Sequence, residues 1–262
     1  MNVSVCPKCQ YQRRPSDSQV HQGLCPRCGI AYAKYRVEDP AIETPSAVKQ
    51  APAVIGVDNE EIATGIGIGQ RLLNTLTYIP DRVDPGIFWG RVALLVLFAL
   101  WGGSFIVSGV DWESIGGSFL HNINLPFHEF GHVLFGFFGR FMAILGGSLF
   151  QVIFPLVFVA AFSFQRRDNF AAAICLWWSG QNFIDVSPYI ADAKYRAIPL
   201  IRGLGEEYHD WGNLLTMTNS LDSATALANA SFALGSLIIL LSLSWGGWLL
   251  WKQHRCLETF QD

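Results

Sequence analysis

The chain has 262 residues, of which 51% are hydrophobic and only 15% charged; this is too apolar for an ordinary soluble domain of its size. The formal net charge of −3 gives no electrostatic basis for a nucleic-acid partner. Nine Trp and nineteen Phe add to the indication of a membrane protein.

Residues 1–36 form a small polar module. It carries two C-x-x-C knuckles, Cys6-Pro-Lys-Cys9 and Cys25-Pro-Arg-Cys28, separated by fifteen residues. A tight turn at each knuckle aims two sulfurs at one ion, so the spacing suits a tetrahedral four-thiolate zinc site. Disulfides are disfavoured in a module expected to be cytoplasmic, and a redox C-x-x-C would require a βαβ setting that is absent here. Over residues 4–35 the segment resembles a zinc ribbon. So small a module has little core, and the metal is expected to hold it folded. Lys8, Arg13, Arg14 and Arg27 are too few to argue for nucleic acid, and the ribbon either binds a protein partner or serves only to stabilise the fold.

Residues 37–64, with Pro40, Pro45 and Pro52, read as a flexible linker. Residues 65–86 set Leu72, Leu73, Leu76 and Ile79 against Arg71, Asn74 and Arg82, an amphipathic segment expected at the membrane surface. No apolar run of signal-peptide type occurs in the N-terminal module, so insertion is expected to be directed by the first span.

Apolar stretches follow at about 87–110, 119–138, 143–164, 170–190 and 227–251. Each is long enough for ~30 Å of hydrocarbon, and the expected fold is a mostly α, polytopic membrane helix bundle of about five spans over residues 87–256. Arg71, Arg82 and Arg91 precede the first span, while Asp111 and Glu113 follow it. The N-terminus with its ribbon is therefore expected in the cytoplasm. Five alternating spans then put Arg140, Lys194, Arg196 and Arg202 inside as well, and Arg166 and Arg167 outside, against the rule.

The second stretch contains His128-Glu129-Phe130-Gly131-His132. On a helix, histidines four apart share a face and both imidazoles can ligate one zinc. Glu129 beside them can take a proton from a water activated there. Two imidazoles and a carboxylate in lipid are costly without partners, and a metal is the expected one. A catalytic zinc needs a third protein ligand. The fourth stretch offers Asp185 and Asp192, seven apart and near one helix face, with Asn182 three before Asp185. Pro188 between the aspartates is expected to kink the helix. Glu206, Glu207, His209 and Asp210 form a further polar cluster, read as a solvated segment, with Asp210 kept as another candidate ligand.

These motifs resemble the site-2 protease family of intramembrane zinc metalloproteases over roughly residues 87–193. His128, Glu129 and His132 match the family's H-E-x-x-H in full. The stretch from Gln181 to Ala193 resembles its Asn, Pro, Asp-Gly segment, with different spacing and Ala193 in place of Gly. Gly146-Gly147-Ser148 resembles the glycine-containing segment after the zinc helix. The resemblance implies Asp192 as third ligand, Asp185 or Asp210 being the alternatives, Glu129 as general base and Asn182 as a residue that orients substrate backbone. It implies an enzyme with a catalytic zinc, in addition to the structural zinc expected of the cysteine module, cutting a peptide bond in or near a membrane-spanning segment of another protein. Two other classes fit the same residues: a non-catalytic zinc-binding adaptor acting through its ribbon, and a hydrolase acting on lipid.

Overall fold

The computed structural model describes residues 6, 11, 12, 17, 20 and 23–27 of the N-terminal module and residues 67–80, 83–200, 203 and 205–258 of the remainder. The chain divides into two compact units, Met1–Asn59 and Glu60–Asp262. In the first unit Cys6 and Cys25 are buried, and the Cys6 amide donates to the Tyr11 carbonyl at 2.9 Å. Gln12 and Leu24 each sit in an isolated β-bridge. Cys9, Cys28 and the 37–64 linker lie outside the described residues.

The second unit is helical. Helix α1 (Ile68–Leu76) has an apolar face and buries none of its residues. Its end is tied to the bundle through carbonyls of its last turn and of the residues just after it. Asn169 Nδ2 donates to the Thr75 and Tyr78 carbonyls at 2.7 and 3.0 Å, and Trp245 Nε1 to the Leu76 carbonyl at 3.0 Å.

The bundle comprises α2 (Pro85–Ser108), α3 (Trp112–Gly116), α4 (Phe119–Phe135), α5 (Arg140–Ala160), α6 (Asn169–Ala191), α7 (Asp210–Met217) and α8 (Ala224–Glu258). Three stretches, Pro85–Ser108, Arg140–Arg166 and Leu221–Arg255, are long and apolar enough to cross a membrane. Helix α6 is the interior helix, with fifteen of its 23 residues buried. Trp177 and Ile184 join Phe105 of α2, Ile115 of α3, Leu120 of α4 and Ile239 of α8 in the main core. Helices α6 and α8 approach backbone to backbone at Gly180 and Gly235, where a Cβ on Gly180 would stand 2.8 Å from the Gly235 carbonyl oxygen.

Contacts fix the helix directions. Arg91 pairs with Asp168 at 2.8 Å, Phe98 packs on Trp177 and Val110 lies against the Val186 cluster, so α2 and α6 run parallel. Phe170 packs with Leu250 and Ser231 Oγ bonds the Phe183 carbonyl, so α8 runs antiparallel to both. A tight turn, closed by the Asp168 amide on the Phe162 carbonyl, makes α5 antiparallel to α6. The start of α2, the end of α5, the start of α6 and the end of α8 thus share one end of the bundle, the Arg91 end.

Helix α4 does not follow this alternation. Phe127 reaches Phe154 and His128 reaches Gln151, while Gly131 lies on Gly146 and His132 bonds Ala143, an antiparallel path along α5. His121 meets Asp185, Asn124 meets Gln181 and Phe127 meets Trp178, an antiparallel path along α6. Three helices cannot be mutually antiparallel, so the 17-residue α4 lies across the α5–α6 pair. The alternation expected from five spans is corrected accordingly: Arg166 and Arg167 share the Arg91 end, and Arg140 starts α5 at the opposite end.

Helix α6 continues through Pro188 to Ala191. Proline leaves the Ile184 carbonyl without its helical donor, and Ser187 Oγ donates to that carbonyl at 2.7 Å.

Candidate metal centre

Ser118 caps α4, its side chain accepting from the His121 amide, and the helix carries His128 and His132 on one face. His128 Nδ1 lies 3.0 Å from Gln151 Oε1, and His132 Nδ1 lies 2.8 Å from the Ala143 carbonyl. Both partners are acceptors, so each Nδ1 carries its proton and each Nε2 presents a lone pair. The Gln151 amide is oriented by Nε2 donating to Asp185 Oδ2 at 2.6 Å, since a carboxylate only accepts.

Both Nε2 atoms face Asp210. Its Oδ2 lies 3.0 Å from His128 Nε2 and 3.3 Å from His132 Nε2, and ligand atoms of the three residues all lie within 4.8 Å of one another. A tetrahedral ion with bonds of about 2.0–2.1 Å separates its ligand atoms by roughly 3.3 Å; the two distances from Asp210 match that spacing, and the three residues form a group that could hold a metal ion. Charge argues the same way. With both Nδ1 atoms already donating, a carboxylate oxygen shared by two Nε2 atoms calls for two extra protons or one cation between them. Gly147 makes room for the group, since a Cβ there would stand 2.6 Å from each Nε2.

Asp210 is the third member of this group, not Asp192. Asp192 ends α6, and its Oδ2 accepts from the Ile198 amide at 2.8 Å and faces His209 Nε2 at 3.3 Å. His209 Nδ1 accepts from the Gly212 amide at 3.0 Å, so Nε2 carries the proton and donates to Asp192. Burial pushes the His209 pKa below its ordinary value, in keeping with that neutral tautomer. Asp192 thus holds the residue preceding Asp210. Seven residues separate Asp185 from Asp192, and α6 carries them to different tasks.

Asp185 is buried and also stands outside the histidine pair. Its Oδ1 lies 3.0 Å from His121 Nδ1, and its Oδ2 accepts from Asn124 Nδ2 at 3.2 Å as well as from Gln151. Asn182, expected to orient substrate, is fully buried and its Nδ2 donates to the Trp178 carbonyl of its own helix. Glu206 and Glu207 are exposed, as a solvated segment implies, but His209 of the same cluster is buried and Asp210 is half-buried, which corrects that reading for these two.

Glu129 is exposed and lines a pocket of about 550 Å³, its open mouth included, together with Trp112, His121, His128, Asp185 and Tyr189. Tyr189 packs on the His209 ring at a centroid distance of 4.3 Å, and its Oη accepts from the Asp210 amide at 2.9 Å. Gln151 and Tyr189 are not among the defining residues of the sequence motifs. Gln151 had a signal, being a lone amide in an apolar run; Tyr189 had only its place four residues after Asp185.

Comparison with family models, curated proteins and solved structures finds no match.

Proposed function

We propose that the protein is an integral membrane zinc metalloprotease that hydrolyses a peptide bond in or near a membrane-spanning segment of another protein. The observation that carries this reading is the convergence of His128 Nε2, His132 Nε2 and Asp210 Oδ2 beside a pocket that Glu129 lines. Two imidazoles and one carboxylate with room left for a further ligand is a donor set suited to catalytic zinc. Zinc, when bound, supplies Lewis-acid polarisation of a carbonyl and makes water acidic enough to attack at neutral pH.

The protein's own residues do the rest. Glu129 accepts the proton of the attacking water and returns it to the leaving amine as the C–N bond breaks. Gln151 and the Ala143 carbonyl hold the two imidazoles in the ligating tautomer. The Tyr189 hydroxyl and the Asp192–His209 pair position Asp210. A substrate helix hides its peptide groups in its own hydrogen bonds and must unwind locally to present one. The apolar pocket wall, Trp112, Leu125 and Val186, suits apolar side chains beside the cut bond. The four cysteines of the N-terminal module supply a second, structural zinc site, and the ribbon binds a protein partner.

The test is Glu129→Gln. The amide keeps the shape of the site and leaves the metal ligands in place but cannot take a proton. Metal content at the wild-type level with cleavage abolished is expected. Cleavage at the wild-type rate removes Glu129 from catalysis; a metal-loaded wild-type protein that cleaves no membrane-protein substrate favours the adaptor reading instead.

A further inference from the structure

We propose that the metal centre opens on the non-cytoplasmic face of the membrane, and that its substrates are segments presented at that face. The first half stands on geometry and charge alone. The second rests on the protease reading above.

The centre sits at the end of the bundle opposite Arg91. Asp210 opens α7 beyond the C-terminal end of α6, and His132 bonds Ala143 in the first turn of α5. Trp112 of the α2–α4 connection lines the same pocket. All three landmarks lie where α2 and α6 finish and where α5 begins.

Lysine and arginine mark the cytoplasmic side of membrane proteins, and those close to span ends weigh most. Among the described residues, the Arg91 end holds Arg71, Arg91, Arg166, Arg167, Lys252 and Arg255. The metal end holds Arg140, Lys194 and Arg196; both ends have locally paired cations, Lys194 with Asp222 at 3.1 Å at the metal end and Arg91 with Asp168 at 2.8 Å at the other, so the comparison rests on the number of Lys and Arg at each end. At the Arg91 end, Lys252 lies over the Trp248 ring and Arg255 over the Trp251 ring, each at 4.9 Å, the pairing of cation and aromatic ring expected of an interfacial anchor. The oblique path of α4 is what makes the charges agree. If α4 crossed the membrane, Arg166 and Arg167 would fall opposite Arg91; because it lies across α5 and α6, they fall beside it.

The tip of α4 and the turn after it keep the centre within reach of lipid on that side. Val133 is 69% exposed, Phe137 92% and Phe138 71%, an apolar surface that water would not favour. A substrate meeting Glu129 there approaches from the outer boundary of the bilayer, which suits the non-cytoplasmic end of a membrane-spanning segment or the residues flanking it.

Single cysteines test the sidedness. Glu113→Cys and Glu206→Cys report the metal end, and Arg71→Cys and Lys252→Cys the Arg91 end; all four positions are exposed. The full chain is treated in intact cells or right-side-out vesicles with a membrane-impermeant maleimide, and the label is located by peptide mass spectrometry. Expected is labelling at positions 113 and 206 without permeabilisation, and at 71 and 252 only after it. The reverse pattern, or all four positions reacting from one side, overturns the proposal. A reporter domain fused after residue 262 gives a second reading that needs no substitution: it is expected in the cytoplasm, and its appearance outside overturns the proposal equally. Neither readout needs turnover, so an inactive protein still decides the sidedness, and a failure of the protease reading is seen separately.

Discussion

Gln151 donates to Asp185 through Nε2 at 2.6 Å, and this bond sets the chemistry of His128 on the other side of the same amide. With Nε2 committed to the carboxylate, the Gln151 carbonyl oxygen is the atom that faces His128 Nδ1, and the proton of that imidazole is fixed on Nδ1. The lone pair then points at Asp210. A buried carboxylate on α6 thereby orients the His128 imidazole on α4 through an amide on α5, without touching that ring.

Gln151→Leu and Asp185→Asn are accordingly expected to weaken metal binding by roughly 10–100-fold, the usual cost of removing an outer partner of a ligating histidine. Competition with a chelator of known affinity measures this. An unchanged affinity in both variants would show that the relay does not hold His128.

Asp210→Asn should cost more than either, because it removes a ligand charge from beside the ion. Asp192→Asn should retain the metal. It removes one acceptor from His209 and weakens the hold on the Ile198 amide, a loss of about 1–3 kcal/mol of folding stability, visible as a lowered unfolding midpoint. Metal lost from Asp192→Asn and kept by Asp210→Asn would reverse the assignment.

Gly147→Ala forces a methyl against both Nε2 atoms, where 2.6 Å is available. Displacement of the imidazoles should abolish metal binding and destabilise the fold by about 1–3 kcal/mol. Gly103→Ala in α2, where a Cβ meets nothing within 4 Å, is the matched control and should be neutral or slightly stabilising. Equal behaviour of the two variants in metal content would remove Gly147 from the centre.

Elemental analysis should find two zinc ions per chain in the wild type and one in Cys25→Ser, since three thiolates hold a structural zinc poorly. Two ions in the variant would mean that the cysteine knuckles do not hold the metal.

His128, Glu129 and His132 were legible because their relation is local: four residues make one helical turn, and an apolar setting leaves charged groups few alternatives. The apolar runs that become α2, the Arg140–Arg166 stretch and α8 were legible for the same kind of reason, since length and composition alone make them able to cross a membrane. Helix α4 was harder. Its apolar residues read like a span, but whether a 17-residue helix crosses a bundle or lies across it depends on close approaches such as Gly131 on Gly146. The third member of the metal group was harder still. Asp185, Asp192 and Asp210 are equivalent carboxylates in a linear reading, and the side of α6 on which each ends up is settled by packing. Tertiary structure gave Asp185 to Gln151, Asn124 and His121, gave Asp192 to His209 and the Ile198 amide, and left Asp210, 82 residues from His128, facing the two imidazoles. A carboxylate that far along the chain is brought to the two imidazoles by how the helices cross, and no local spacing encodes that.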